Sequence, residues 1–164
     1  MTVPIGTVLM NGVVSKKRKL GVVLQKDTFV FYNEVVCCLR SRGIKITLSK
    51  VINTTLREVI RQTDLEKFVE VFLNKIYTSS GFSYIHERLN RRYGKSKSKM
   101  DVGYLYNVRV SLDNQVAEWI DRVTEEIKSV LPAISRSIVV NVILDSIRYK
   151  HNKHLCDILH NKLK

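Results

Sequence analysis

The residues able to do chemistry in this chain fall into two groups. The first could make or break bonds. His151, His154, Cys156 and His160 lie close together, and on a helix Cys156 and His160 share a face, a conceivable metal pair. No tight metal-binding spacing accompanies them. Seven tyrosines raise the question of a DNA-cleaving nucleophile, but none is grouped with the Arg and His residues such a reaction needs. No phosphate loop, nucleophile elbow or acidic metal cluster is written into the sequence. The expectation is a protein that is not an enzyme, with no cofactor and no metal.

The second group is cationic. Lys and Arg total 28 against 15 acidic residues, a net charge of +13 over 164 residues. Such an excess favours a polyanionic partner, nucleic acid or an anionic membrane. The densest block is Lys16-Lys17-Arg18-Lys19. The membrane is the weaker reading, because no apolar run reaches the roughly 18 residues that span a bilayer, and the N-terminus is too polar and Gly-interrupted for a secretory signal. The three cysteines are Cys37, Cys38 and Cys156. Two are vicinal, poor disulfide geometry, and the count is odd, so a reducing cytoplasm is the expected location.

The elements that must position these groups come in two copies. Sliding the chain by 88 residues lays 19–61 over 107–149 without a gap, and nine of the 43 pairs are identical: Val22/Val110, Leu24/Leu112, Val35/Val123, Ser41/Ser129, Ile46/Ile134, Ser49/Ser137, Val51/Val139, Asn53/Asn141 and Leu56/Leu144. Ordinary composition gives roughly two or three by chance. Others keep their character, among them Phe31/Trp119, Leu39/Ile127 and Thr47/Ser135. Each copy reads strand, helix, break, helix. Residues 107–112 alternate polar and apolar with period two, a half-buried strand, and Leu20–Leu24 is its counterpart. In the second copy Asp113 or Asn114 caps a helix carrying Trp119, Ile120, Val123 and Ile127; Pro132 stops it, and Ser135 caps a second helix from Arg136 to about Lys150. In the first copy Asp27 starts a helix, Gly43 ends it, and Thr47 caps the helix through Ile60.

The remainder is different. Thr63-Asp64-Leu65-Glu66 reads as a capping box, followed by an amphipathic stripe at Leu65, Phe68, Val69, Phe72 and Ile76. Ser79-Ser80-Gly81 breaks it, a shorter helix is expected around Tyr84–Arg92, and residues 93–99 read as a basic linker. The expected organisation is an N-terminal arm or hairpin (1–15), a first motif (16–62), a helical insert with linker (63–103), a second motif (104–150) and a C-terminal amphipathic helix (151–164).

A short strand followed by two helices, with Ile46-Thr47-Leu48-Ser49-Lys50-Val51-Ile52-Asn53 and Ile134-Ser135-Arg136-Ser137 opening the second helices, resembles the ribbon-helix-helix (Arc/MetJ-like) DNA-binding family. The resemblance covers the two 43-residue repeats, 86 of the 164 residues. It implies an α+β, predominantly helical fold. Two ribbon-helix-helix motifs would form an intramolecular pseudo-dimer, their strands paired as a two-stranded antiparallel ribbon over four interlocking helices, with the insert added. One motif of about 45 residues buries too little apolar surface to fold alone. In that family the ribbon enters the DNA major groove.

On this resemblance, Leu20, Val22, Leu24, Val108, Val110 and Leu112 face inward, and Lys19, Gly21, Val23, Asn107, Arg109 and Ser111 face outward. The base-reading candidates are Lys19, Val23, Asn107, Arg109 and Ser111. Arg109 can donate two hydrogen bonds to guanine, Asn107 can pair with adenine through both polar atoms, and Val23 can meet a thymine methyl. Gly21 and Val23 depart from the family pattern, since neither can hydrogen-bond to a base through its side chain. The family clamps a phosphate at the start of the second helix, where backbone N–H groups and the positive dipole end lie. That assigns phosphate contact to Thr47, Ser49 and Lys50 in one half and to Ser135, Arg136 and Ser137 in the other, joined by Lys16, Lys17 and Arg18 beside the first strand. Asn53 and Asn141 interrupt apolar helix faces; one reading places them near the pseudo-twofold axis, fixing helix pairing, the other on exposed positions.

The expected function is sequence-preferring binding of double-stranded DNA, as a regulator or as an accessory factor in plasmid or mobile-element transfer or partition. Tandem motifs of this kind resemble those in accessory proteins of conjugative and T-DNA transfer. The alternative is a protein-interaction adaptor with only weak, nonspecific DNA binding. Partner proteins would dock on the helical insert or C-terminal helix, and the expected state is a monomeric pseudo-dimer, with a weak homodimer through the C-terminal helix left open.

Overall fold

A computed structural model of the chain describes residues 16–78 and 105–163. The fold is α+β and mostly helical, with one small antiparallel sheet of two strands. The expected hairpin within 1–15, the break at 79–81, the helix around 84–92 and the linker at 93–99 lie outside the described residues.

Strand β1 (Lys17–Gln25) leads into α1 (Lys26–Ser41) and α2 (Leu48–Gln62), and α3 (Leu65–Thr78) follows. Strand β2 (Leu105–Asp113) leads into α4 (Asn114–Lys128) and α5 (Arg136–Lys150), and α6 (Leu155–Leu163) ends the described chain. Local chemistry accounts for the breaks. Helix α1 ends at Ser41 and the chain turns away at Gly43, whose φ of 85° is left-handed; the Gly43 N–H donates to the Arg40 carbonyl (3.0 Å) and the Ile44 N–H to that of Leu39 (3.1 Å), the double closure that glycine permits. Helix α4 ends at Lys128 because Pro132 has no N–H to offer the carbonyl four residues back. Thr47 and Ser135 cap α2 and α5 as expected, accepting from the Lys50 N–H (3.2 Å) and the Ile138 N–H (3.3 Å). Asp113 stands at the N-cap position of α4 without bonding there; its carboxylate is turned to α2. Thr63 belongs to the end of α2, so α3 starts one residue later than the capping-box reading implies, with the Phe68 N–H donating to the Asp64 carbonyl (2.9 Å).

The two strands pair antiparallel over their whole lengths, from Lys17 opposite Asp113 to Gln25 opposite Leu105, with Gly21 opposite Arg109 in the middle. Val22, Leu24, Val110 and Leu112 point inward and are buried, onto a core that includes Val35, Leu39, Val51, Ile52, Leu56, Ile120, Val123, Ile127, Val139, Val140, Ile143 and Leu144. Tyr32 is fully enclosed, and its hydroxyl donates to the Leu144 carbonyl (2.7 Å). Burial, reinforced by the nearby Asp145 charge, pushes its ionisation well above the ordinary tyrosine range, so the phenol stays a donor. Helix α3 joins this core through Phe72 and through Phe68, which stands edge-on to Trp119 at 5.0 Å.

Cys38 and Cys156 form a disulfide that ties α6 to α1 across 118 residues. Asp157 pairs with Arg42 (2.7 Å), Lys162 pairs with Glu58 (3.1 Å), and Leu155 and Leu159 are buried. The vicinal pair that drew attention in the sequence is therefore split, one sulfur bonded at long range and Cys37 an exposed thiol. The Cys156–His160 metal pairing lacks its sulfur in this state. Alkylation of the unreduced, unfolded protein is expected to label one cysteine, and of the reduced protein all three. Three labels without reductant would show that the 38–156 bond is not formed.

Candidate nucleic-acid interface

The outward face of the ribbon carries Lys17, Lys19, Gly21 and Val23 on β1 and Asn107, Arg109, Ser111 and Asp113 on β2. Lys19, Asn107 and Arg109 are exposed, and Val23 and Ser111 are half-buried. All five base-reading candidates thus share one face, as period-two alternation requires. Lys16 and Lys17 are exposed beside them.

Helix α2 is hydrogen-bonded to β2, and helix α5 to β1. The Ser111 N–H on β2 donates to Ser49 Oγ on α2 (2.8 Å), and the Val23 N–H on β1 donates to Ser137 Oγ on α5 (2.9 Å). These two bonds join residues that correspond under the 88-residue shift. Asn53 and Asn141, also equivalent, are both buried. Asn53 accepts from the Asp113 N–H (2.9 Å) and donates to the Asp113 carboxylate (3.1 Å), while Asn141 donates to the Val23 carbonyl. Their polarity is needed to satisfy strand groups rather than to pair helix with helix. Ser49 and Ser137, expected at phosphate, use an acceptor lone pair on the strand, and each hydroxyl keeps its own proton to donate.

The helix starts differ in charge. Around the start of α2, Arg40, Gly43, Ile44, Lys45, Ile46, Thr47 and Lys50 line an open pocket of about 600 Å³. Lys45, Thr47 and Lys50 are exposed there, and Arg40 donates to the Ile46 carbonyl (2.9 Å). At the start of α5, Arg136 lies 3.3 Å from Asp121, whose other oxygen receives Arg18 at 2.7 Å. One carboxylate thus holds two arginines expected at phosphate. Sequence reasoning missed Asp121, and its polar position on an amphipathic helix offered no signal for a partner 103 residues away.

Comparison with family models, curated proteins and solved structures finds no match.

Among the described residues no group of His, Cys, Asp and Glu is arranged to hold a metal ion, and no helix is long and apolar enough to cross a membrane. The outward face of the ribbon carries exposed Lys, Asn and Arg side chains and is flanked by the start of α2 with Lys45 and Lys50. Such a surface supplies donors and positive charge, the two things a duplex groove accepts.

Proposed function

We propose that this chain binds double-stranded DNA through the ribbon, as two tandem ribbon-helix-helix motifs folded into an intramolecular pseudo-dimer. The observation that carries the reading is the register: Gly21 and Arg109, 88 residues apart, face each other, so residues equivalent under the internal repeat exchange places about that pair. The paired Ser49/Ser111 and Ser137/Val23 bonds follow the same exchange. A two-stranded ribbon fits the major groove, where each base pair displays a distinct set of donors and acceptors. Arg109 stands at the centre of the outward face and is the principal reader, with Asn107, Lys19, Val23 and Ser111 around it. Thr47, Ser49 and Lys50, with Ser135, Arg136 and Ser137, meet the phosphates on either side, and Lys16, Lys17 and Arg18 extend that contact. The role in the cell is that of a regulator or an accessory factor of mobile-element transfer or partition.

Arg109→Ala is expected to lower affinity for the preferred duplex by about 1–3 kcal/mol and to relax base choice at one position. Selection from a random duplex pool, run with the native protein and the variant, checks this. An unchanged preference removes Arg109 from the reading role. One observation favours a second reading as an adaptor: a groove of about 460 Å³ between the end of α2, α3 and α5, lined by Val59, Phe68, Val71, Phe72, Ile143 and Ile147 among others, with Val71 exposed. A protein partner seated there would leave the ribbon available, and failure to bind any duplex would favour this reading.

A further inference from the structure

The outward face of the ribbon differs at its two ends. At one end Lys17 faces Asp113 and Lys19 faces Ser111. Ser49 Oγ fixes the start of α2 against this end, bringing Lys45, Thr47 and Lys50 with it. At the other end Val23 faces Asn107 and Gln25 faces Leu105, with no lysine or arginine among the four. Ser137 Oγ fixes the start of α5 there, where Ala133 and Ile138 stand at the positions equivalent to Lys45 and Lys50; Arg136 reaches Asp121, which also holds Arg18 from the lysine end of β1. Between the ends Arg109 lies opposite Gly21, where an added Cβ would meet nothing within 4 Å.

Resting on the DNA-binding reading above, we propose that the ribbon docks in one direction only, the Lys19 end making the stronger phosphate contacts and the Val23–Asn107 pair reading a single A·T base pair near a guanine held by Arg109. An asparagine amide offers one donor and one acceptor, which match adenine N6 and N7. The same base pair displays the thymine methyl in the major groove, the apolar group that a valine can cover. Side chains directly opposite on paired strands stand about 4.5–5.5 Å apart at Cβ, close enough for Val23 and Asn107 to sit over one base pair. Two residues along a strand advance about 7 Å, or about two base-pair steps at about 3.4 Å each, which sets the spacing from the A·T pair to the guanine. Under the repeat, Val23 corresponds to Ser111 and Asn107 to Lys19, so the opposite end cannot make the same pair of contacts. The preferred site is therefore not a palindrome.

The test uses the full-length protein and the duplex it selects from a random pool. Replacing the contacted thymine by uracil removes one methyl and is expected to weaken native binding by about fourfold, with no effect on Val23→Ala. Replacing that A·T pair by G·C is expected to cost about tenfold or more for the native protein and, for Asn107→Ala, only the about fourfold due to the lost methyl. Inverted repeats of either half-site are expected to bind more weakly than the selected duplex. A palindromic selected site, or a uracil effect that persists in Val23→Ala, overturns directional docking while leaving DNA binding intact. Absence of binding to every duplex overturns the DNA-binding reading itself.

Discussion

Raising salt from 50 to 200 mM is expected to cut affinity for duplex DNA by about a thousandfold. Lys16, Lys17, Lys19, Lys45, Lys50 and Arg109 are exposed on or beside the ribbon. If each displaces about one condensed counterion, the slope of log affinity against log salt is about −5. Arg18 and Arg136 contribute less, because Asp121 already neutralises part of their charge. Lys17→Ala is therefore expected to flatten the slope by about one unit, Arg136→Ala by less, and Asp121→Asn to steepen it. Fluorescence anisotropy of a labelled duplex over a salt series reads all four slopes. A native slope near zero is incompatible with these cations lying against the duplex, and equal slopes for Lys17→Ala and the native protein would take Lys17 out of the interface.

The ribbon was legible in the sequence because a strand has an unambiguous period. Leu20, Val22 and Leu24 alternate with Lys19, Gly21 and Val23, and Val108, Val110 and Leu112 with Asn107, Arg109 and Ser111, so each face follows once the segment is extended. The caps at Thr47 and Ser135 and the stop at Gly43 were legible because their bonds close within a few residues. What the sequence did not carry was long-range pairing of side chains. Asn53 and Asn141 stood out as polar interruptions, but their partners on the strands are 60 and 118 residues away. Asp113 looked like a helix cap and instead accepts from Asn53 and Arg57. The 38–156 disulfide and the Arg18–Asp121–Arg136 cluster are of the same kind. Each depends on how helices and strands far apart in the chain pack together, which no local pattern encodes.

Alternation between buried and exposed faces makes adjacent positions on β2 respond in opposite ways. Val110 has no exposed surface on the inward face, and Arg109 is exposed on the outward one. Val110→Asp would place a carboxylate among apolar side chains beneath the ribbon, where an unpaired charge must be either desolvated or neutralised by a proton. The expected cost exceeds about 4 kcal/mol, a large share of the about 5–15 kcal/mol that holds a domain folded. The ribbon is tied to both α2 and α5, so the loss should appear as one cooperative change in the whole domain rather than local fraying. Arg109→Asp, one residue earlier, is expected to leave the urea midpoint nearly unchanged and to abolish binding, since it replaces a donor with a negative charge facing DNA. Circular dichroism through a urea titration, paired with a binding assay on the same two samples, separates the effects. Val110→Asp with native stability would mean that the inward face is not the core, and the ribbon register would be wrong. Arg109→Asp with native DNA affinity would mean that the outward face is not the reading surface.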